Sequence, residues 1–427
     1  MLSYEISKMS RAERDGLISR EGVDLSAPLA AAMAIIDQVR RDGDEALLQC
    51  AREYDSFAGD RLRVTPSELR AARKRLPRDL MSALVTCKKR IERFHSEQVL
   101  GTFEYRDGSG TFGQKVVPLD RVGVYVPGGT ASYASSVLMA CVPARVAGVS
   151  EIAVFTPAKG GRVGDAVLAA ADLCGVDELY RVGGAQAVAA MAYGTGSIRP
   201  VQKIVGPGGA FVSAAKLLVR NDCEIDFLAG PSEVLLVADD GADPRNLAAE
   251  MLAQLEHDPL ARALLVATSK SVLQETAKAL QEMTASAPRR STVEASSRSG
   301  AVFLLARDVR EAVAFSNAYA PEHLVLDVSS PKAALKKVKS AGSVFLGRHS
   351  SVAFGDYCAG PNHILPTMGR ASVRSSLSTY DFLKVIPYQE LTRAGASSLA
   401  PATELMATAE GLPGHARAAS MRRRMER

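Results

Sequence analysis

The stretch from Glu178 to Gly194, ELYRVGGAQAVAAMAYG, decides the fold class of this chain. A short apolar run suited to a buried strand (178–182) leads through a glycine turn into an alanine-rich helix (185–194). Neighbouring segments have the same character, with strands expected at 122–126, 151–155 and 203–205 and helices at 132–147 and 163–174. Such alternation of strand and helix predicts a parallel, doubly wound sheet.

Glycine-rich turns follow three of these strands, at 127–130, 182–186 and 206–210. In open α/β sheets ligands bind outside the carboxyl ends of the strands, where glycines let backbone amides approach a phosphate. Three such turns favour nucleotide binding, and simple tight turns are the alternative. The segment 108–113 also matches the GxGxxG pattern, but it follows polar residues and precedes no helix, so we do not expect it to bind a cofactor.

A second alternating set extends the pattern. Strands are expected at 233–238, 263–268, 301–306, 323–328 and 343–346, with helices near 243–257, 271–284, 308–318 and 331–341. The stretch 285–300, rich in Ser, Arg and Ala, is interpreted as an exposed loop. The sequence therefore predicts an α/β protein with two Rossmann-like, doubly wound parallel-sheet domains.

The remaining regions are expected to be mostly helical. Residues 1–98 are interpreted as helices, one of which starts at the capping box Thr65-Pro66-Ser67-Glu68 and ends near His95. A hairpin is expected at 99–120, and the chain after about 375 is expected to be helical. The predicted organisation has four regions: a helical N-terminal region with the hairpin (1–117), a first α/β domain (118–231), a second α/β domain (232–374) and a small helical C-terminal tail (375–427).

Composition excludes several classes of function. The 427 residues carry a formal net charge of only +5, which is too small to favour nucleic-acid binding. The six cysteines form no CxxC pair, so neither a disulfide framework nor a cysteine zinc site is indicated. The N-terminus lacks the apolar core of a signal peptide, and no apolar run is long enough to span a membrane. We expect a cytoplasmic protein with no membrane or nucleic-acid partner.

Four pairs of side chains can carry chemistry: Gln254 and His257, Glu322 and His323, Asp356 and His363, and Glu410 and His415. The first pair is expected on one face of the last turn of a helix. An adjacent carboxylate and imidazole, as at 322–323, can accept a proton and activate water. Taken singly, however, the QxxH spacing is also frequent by chance, and the Glu-His dipeptide also fits a surface pair.

The ordered set of motifs is more specific than any single pair. It resembles the histidinol dehydrogenase family from about residue 20 to 415, in the segments GVYVPGGT, VGGAQAVAAMAYGT, KIVGPGG, DFLAGPSEVLLVAD, QLEHDP, YAPEHL, GDYCAGPNH and EGLPGH. The resemblance implies a zinc-dependent, NAD-linked four-electron oxidation of L-histidinol through L-histidinal to L-histidine, in histidine biosynthesis. The alternatives are a relative that oxidises a different polar amino or hydroxy alcohol, and a catalytically silent binding protein.

The resemblance also implies roles for particular residues. One zinc ion per subunit would be held by Gln254, His257, Asp356 and His415, with Glu322 and His323 as the catalytic pair. Cofactor contacts would be made by Tyr125, Gln186 and Gly209. Substrate contacts would be made by the zinc ligands and His323 together with Ser232, His363 and Glu410. The family forms homodimers with shared active sites, so Glu410 and His415 would complete the site of the other subunit.

Three positions depart from the pattern of the family. Gly209 stands where many members have an asparagine that touches the cofactor, so the affinity for the cofactor is open. Val352 replaces a glutamate implicated in substrate binding, which leaves substrate choice open. Leu255 replaces an alanine, and we expect this change to face the core and be neutral.

Overall fold

A computed structural model of the chain describes residues 2–20, 25–128 and 133–423. The chain divides into two compact units, one formed by residues 1–98 and 120–381 and the other by residues 99–119 and 382–427. Both predicted α/β domains belong to the first unit, so the boundary expected at residue 232 stays a prediction. No helix among the described residues is long and apolar enough to cross a membrane.

Strands and helices are numbered in chain order. The strands are β1 (Leu2–Glu5), β2 (Arg63–Val64), β3 (Phe103–Asp107), β4 (Gly110–Pro118), β5 (Arg121–Tyr125), β6 (Glu151–Phe155), β7 (Glu178–Tyr180), β8 (Lys203–Val205), β9 (Glu224–Ile225), β10 (Glu233–Ala238), β11 (Arg262–Ala267), β12 (Ala301–Leu305), β13 (His323–Asp327), β14 (Ser343–Leu346) and β15 (Leu383–Leu391). The helices are α1 (Arg11–Ser19), α2 (Ser26–Asp42), α3 (Asp44–Asp55), α4 (Pro66–Arg75), α5 (Arg78–Ser96), α6 (Ala134–Ala147), α7 (Asp165–Leu173), α8 (Gly184–Tyr193), α9 (Ala210–Val219), α10 (Pro244–Leu255), α11 (Lys270–Ser286), α12 (Arg290–Gly300), α13 (Val309–Tyr319), α14 (Pro331–Leu335), α15 (Val352–Tyr357), α16 (Arg393–Ala409) and α17 (Pro413–Arg423).

The first unit is built on two sheets that share one strand order. The first sheet has the order β2-β7-β6-β5-β8-β9, and the second has the order β1-β12-β11-β10-β13-β14. In each sheet the first strand of the α/β repeat (β5 or β10) is central, with the next two strands on one side and the following two on the other. This is a Rossmann-like strand order, and it confirms the predicted α/β fold with parallel sheets.

Close packing of helices on the first sheet depends on small side chains. Val122, Val124 and Val154 are fully buried, as expected for strands covered on both faces. Gly123 lies between two of these valines, and a Cβ at this position would collide with the Sδ of Met191 on α8. The alanines of α8 allow the same close approach, which explains the alanine-rich stretch that predicted the fold.

The expectation that residues 1–98 are only helical is wrong at two strands. β1 pairs in parallel with β12 at the edge of the second sheet, and β2 pairs antiparallel with β7 at the edge of the first. These strands are short and show no clear period, so tertiary pairing decides their conformation. The single helix expected between Thr65 and His95 is also wrong. It divides into α4 and α5 because Pro77 restricts Leu76 to extended backbone.

The loop expected at 285–300 is wrong as well, because α12 occupies Arg290–Gly300. Its buried positions are Val293, Ser296 and Gly300, so small residues take the place of an apolar stripe. Ser296 Oγ donates a hydrogen bond to the carbonyl oxygen of Leu255 (2.8 Å). The helix expected at 331–341 is shorter than predicted and ends at Leu335.

The second unit contains an antiparallel sheet with the order β15-β4-β3, followed in the chain by α16 and α17. The β3–β4 pair confirms the predicted hairpin, and the GxGxxG segment 108–113 lies in it rather than between a strand and a helix. The expectation of a purely helical tail after 375 is wrong at β15, which pairs with β4 from Leu383 to Leu391. Pro387 lies within β15 and is tolerated because this strand is at the edge of the sheet.

Candidate active site

The predicted cofactor residues gather at the carboxyl end of β5. Tyr125 is the last residue of this strand and is buried, and its hydroxyl accepts a hydrogen bond from the Gly184 amide (3.2 Å). Gln186 is buried in the first turn of α8, next to Gly184. Gly206 directly follows β8 and has φ +112°, and a Cβ there would collide with the carbonyl oxygen of Tyr125. Two of the three glycine turns therefore meet where β5 and β8 diverge, which is the ligand-binding position of such sheets.

Gly209 lies at the start of α9, where it is the N-cap residue. The position is exposed, and a Cβ there would have no neighbour within 4 Å. A larger side chain therefore fits at Gly209. The third glycine turn, after β5, lies partly outside the described residues, since Gly129 and Thr130 belong to the segment 129–132.

A buried ion pair that we did not predict holds the turn after β8. Lys216 Nζ lies 2.6 Å from Asp226 Oδ1, and the two side chains are almost wholly buried. Asp226 Oδ2 accepts a hydrogen bond from the Gly206 amide (2.7 Å), and Lys216 Nζ donates to the Gly206 carbonyl oxygen (2.6 Å). A lysine within the apolar stretch AFVSAAKLLV of α9 was the available signal in the sequence.

Glu322 and His323 lie at the amino end of β13, in the second sheet. Both are buried, with exposed fractions of 6% and 5%, so the alternative of a surface pair is excluded. The Glu233 amide donates a hydrogen bond to Glu322 Oε2 (2.8 Å). His323 Nδ1 donates to the Glu233 carbonyl oxygen (3.1 Å), because a carbonyl can only accept. The neutral imidazole therefore carries its proton on Nδ1 and has Nε2 free to accept another.

Burial and mutual charge raise the pKa values of both members of this pair. Burial raises the pKa of the Glu322 carboxyl to about 8. For His323, burial opposes protonation, but the carboxylates of Glu322 and Asp356 outweigh it and raise the pKa to about 9. Groups with pKa values in this range can exchange protons with a substrate near neutral or mildly alkaline pH.

The loop between Asp356 and His363 closes on the catalytic pair. Asp356 lies in α15, and its Oδ1 is 3.5 Å from His323 Nε2. Burial works against the charge of Asp356, but the neighbouring His323 outweighs it and lowers the pKa of the carboxyl. His363 Nδ1 donates to the Asp356 carbonyl oxygen (2.7 Å), and its Nε2 lies 3.4 Å from Ser136 Oγ on α6. The structure thus brings together His323, Asp356 and His363, as the sequence predicted.

Gln254 and His257 lie at and beyond the end of α10. Gln254 is in its last turn and buried, whereas the helix ends at Leu255 and His257 follows it, so the prediction that both project from the last turn is wrong for His257. Partial desolvation lowers the pKa of the exposed His257 ring, and the charge of Asp356 acts in the opposite direction. The charge of Asp356 therefore acts on the His257 ring.

The donor set fits a divalent metal. The Gln254 Nε2 atom is buried without a hydrogen-bond partner, so this amide is an unsatisfied group. The two ends of a side-chain amide exchange by a half-turn, which lets the oxygen take that place. Nitrogen and oxygen donors without cysteine suit zinc among other divalent ions. Within the described part of the chain, no group of three or more His, Cys, Asp or Glu side chains is arranged to hold a metal.

The remaining candidates lie in different places. Ser232 is partly buried directly before β10, and its carbonyl oxygen accepts from the Arg262 amide. Glu410 and His415 belong to the second unit and are exposed. Glu410 follows α16 and His415 lies in the first turn of α17, so the predicted break is present, but it spans only 410–412, and Pro413 and Gly414 begin α17 instead of breaking the helix.

Two of the departures from the family pattern are buried. Leu255 faces the core, as expected. Val352 begins α15, and its amide donates to Glu250 Oε2 (3.1 Å). Burial raises the pKa of the Glu250 carboxyl. A carboxyl group from α10 therefore lies at the start of the helix that carries Asp356, a feature the sequence did not predict.

Comparison with known proteins gives a consistent result. The sequence model of the family described as histidinol dehydrogenase matches residues 18–423. The histidinol dehydrogenase of Methanothermobacter thermautotrophicus is 46% identical over 96% of each chain, and that of Chromobacterium violaceum is 44% identical over 99% of this chain and 98% of its own. The crystal structure of histidinol dehydrogenase from Elizabethkingia anophelis has a TM-score of 0.95 and 34% identity, covering 99% of this chain and 98% of that one.

Proposed function

The chain belongs to the histidinol dehydrogenase family, and we propose that the cluster around Glu322 and His323 is its active centre. As a family member the enzyme is an NAD-dependent oxidoreductase of histidine biosynthesis. The finer proposal is that it oxidises L-histidinol through L-histidinal to L-histidine at this one site. The observation that carries it is the buried, adjacent carboxylate and imidazole beside Asp356.

His323 is proposed as the base of the alcohol oxidation. Its Nδ1–H group donates a hydrogen bond to the Glu233 carbonyl oxygen. Nε2 is therefore the atom that accepts the hydroxyl proton of the alcohol. Glu322 is proposed as the group that activates water for addition to the aldehyde. Burial keeps its pKa high enough for the carboxylate to take a proton from that water.

Gln254, His257 and Asp356, with His415, are proposed to hold one zinc ion per subunit. The unsatisfied amide of Gln254 and the electrostatic effect of Asp356 on His257 support this set. When bound, the metal would hold the amino and imidazole nitrogens of the substrate. Ser232, His363 and Glu410 are proposed as further substrate contacts, and the carboxylate of Glu410 suits an ammonium or imidazolium group.

Tyr125, Gln186 and the turn that ends at Gly209 are proposed to bind NAD. Their place at the carboxyl end of β5 and β8, where glycines admit a phosphate close to the backbone, supports this assignment. When bound, the nicotinamide accepts the hydride in each oxidation. We also propose a homodimer with shared active sites, and a reducing cytoplasmic location that fits the six free cysteines.

The stoichiometry of NADH formed per L-histidinol tests this proposal. Purified enzyme at alkaline pH with added zinc should form two NADH per L-histidinol consumed, and a chelator should abolish the reaction until zinc is restored. A substrate panel of other polar amino alcohols, measured alongside, separates a relative with different substrate choice. If no NADH forms from L-histidinol with zinc present, the proposed reaction is wrong.

A further inference from the structure

A buried ion pair between Arg20 and Glu233 lies directly behind the catalytic pair. Arg20 Nε is 2.9 Å from Glu233 Oε2, and the side chains are only 2% and 1% exposed. Tyr319 OH donates to the same carboxylate oxygen (3.2 Å). Arg20 Nη2 donates to the Tyr319 carbonyl oxygen (2.6 Å), and its guanidinium lies 3.6 Å from the centre of the Tyr319 ring. These three residues come from distant parts of the sequence, and each of them contacts the other two.

Stability alone is a poor explanation for this group. Removing two charges from water is costly, and buried ion pairs are often replaced by apolar side chains without loss of stability. Glu233 also keeps an unsatisfied atom, since its Oε1 is buried without a hydrogen-bond partner. In a strand whose other residues are Val, Leu and Ala, an apolar side chain would satisfy packing more simply.

The main chain of Glu233 contacts both members of the catalytic pair. Its amide donates to Glu322 Oε2 and its carbonyl oxygen accepts from His323 Nδ1. The first contact orients the carboxylate, and the second fixes which imidazole nitrogen is free. Because the side chain of Glu233 is held by Arg20 and Tyr319, the peptide groups that touch the catalytic pair are held as well.

The charges around Glu322 support the same interpretation. Burial raises the pKa of Glu322, the charge of His323 lowers it, and the carboxylates of Glu233 and Asp356 raise it further. Arg20 is the cation paired with Glu233, and it opposes the burial that raises the pKa of that carboxyl. Loss of Arg20 would leave a buried carboxyl group unpaired behind Glu322.

We propose that Arg20, Glu233 and Tyr319 are positioning residues that hold Glu322 and His323 for the chemical step. The N-terminal segment that carries Arg20 then supports the catalytic pair through Glu233 and Tyr319. This inference rests on the roles proposed for Glu322 and His323. The competing interpretation is that the group only stabilises the fold.

Four variants with one control test the inference: Arg20→Met, Arg20→Lys, Glu233→Gln, Tyr319→Phe and the control Arg121→Gln. Arg121 forms another largely buried ion pair, with Glu151 and Glu178 at the amino end of β5, and it has no proposed role in the reaction. For each variant, kcat and KM for L-histidinol are measured per folded enzyme, together with the thermal midpoint.

We expect Arg20→Met and Glu233→Gln to lower kcat by about tenfold or more, because small displacements of reacting groups are costly, with KM changed less than about twofold. Tyr319→Phe should lower kcat less, and Arg20→Lys, which keeps the charge, should recover part of the loss seen in Arg20→Met. Arg121→Gln should lower the thermal midpoint while kcat per folded enzyme stays at the wild-type value.

The inference would be overturned if all four variants kept the wild-type kcat while their thermal midpoints fell as in Arg121→Gln. The group would then have only a structural role. If Arg20→Met or Glu233→Gln does not fold, Arg20→Lys and Tyr319→Phe decide the question alone. Failure of the proposed function is distinguishable, because His323→Ala would then retain wild-type kcat. A fall in kcat for His323→Ala without one for the positioning variants refutes this inference only.

Discussion

At the scale of single residues, Glu322 and His323 are adjacent in sequence but are expected to serve different oxidations. We expect His323→Ala to lose oxidation of L-histidinol by about 10²–10⁴-fold, the usual range for loss of a general base. Glu322→Gln should impair chiefly the oxidation of L-histidinal, because the amide cannot take a proton from water. NADH formation is measured with each substrate supplied separately. Full activity of Glu322→Gln on L-histidinal would show that its assigned role is wrong.

Gly209 offers a test of cofactor affinity. The position is an N-cap with open space, so asparagine can be introduced without a collision. Asparagine stabilises a helix as its N-cap residue slightly more than glycine does, by a few tenths of a kcal/mol. We expect Gly209→Asn to lower KM for NAD with an unchanged thermal midpoint, whereas Gly209→Ala, which adds no polar group, should not lower it. Equal KM values for all three enzymes would exclude a side-chain contact at this position.

His95 makes the stability of the enzyme depend on pH. It is fully buried, it accepts a hydrogen bond from Asn362 Nδ2 (3.1 Å), and burial lowers its pKa to about 4. Between this value and its unfolded pKa near 6.5, the unfolded chain binds the proton and the folded chain does not. This contribution to stability is therefore complete above about pH 6.5 and is lost as the pH falls towards 4.

The loss at pH 5 should be about 2 kcal/mol, from the two pKa values. Urea unfolding at pH 7 and pH 5 measures it, with His95→Gln as the variant that lacks the titrating group and His349→Gln, at an exposed histidine, as the control. The difference between the two pH values should shrink in His95→Gln only. The same difference in both variants would rule out His95 as its source.

The sequence predicted the residues proposed to act in the reaction, but not the residues that hold them. Glu322, His323 and Asp356 stand within motifs, so their chemistry could be predicted from their types and order. Arg20 could not be predicted, because its partners Glu233 and Tyr319 are far away in the sequence and nothing local marks it. Side chains that act through tertiary contacts leave little signal in a single sequence.

At the scale of elements, α9 and the turn before it depend on the Lys216–Asp226 pair. We expect Lys216→Met to lower the free energy of unfolding by about 3–5 kcal/mol, because Asp226 is left buried without its cation. Urea unfolding measures the change, and Lys278→Met, at an exposed lysine on α11, is the matched control, expected within about 0.5 kcal/mol of the wild type. A loss below about 1 kcal/mol in Lys216→Met would show that the pair contributes little.

Several elements that the sequence predicted correctly are strands marked by an apolar run. β6, β8 and β10 have the predicted bounds, because buried strands read as continuous apolar runs, and the partly buried edge strand β14 has its predicted bounds as well. α12 was missed because serine and glycine pack where apolar side chains would mark a helix. β15 was missed because its side chains are mostly exposed and Pro387 interrupts its pattern, while its conformation depends on pairing with β4.

At the scale of the whole molecule, the two sheets share one strand order, but their proposed functional residues lie at opposite ends of the strands. The proposed NAD residues lie at the carboxyl end of β5, as the topology predicts. Glu322 and His323 instead lie at the amino end of β13. At the opposite end, Asp239 accepts hydrogen bonds from the Ser329 amide (2.5 Å) and the Gly241 amide (3.1 Å). Topology alone would therefore have placed the catalytic pair at the wrong edge.

The proposed dimer can be tested only with two different subunits in one dimer. If Glu410 and His415 of the partner subunit complete each site, His323→Ala and His415→Ala damage different halves of it. A mixed dimer then has one site with both defects and one intact site.

Co-expression of the two inactive variants should recover about a quarter of wild-type activity, because random pairing makes half of the dimers mixed and each mixed dimer has one intact site of two. Co-expression of His323→Ala with Asp356→Ala is the control and should recover none, since both changes lie in the same half of the site. The absence of recovery in the first mixture, with mixed dimers demonstrated by differently tagged subunits, would mean that each chain completes its own site.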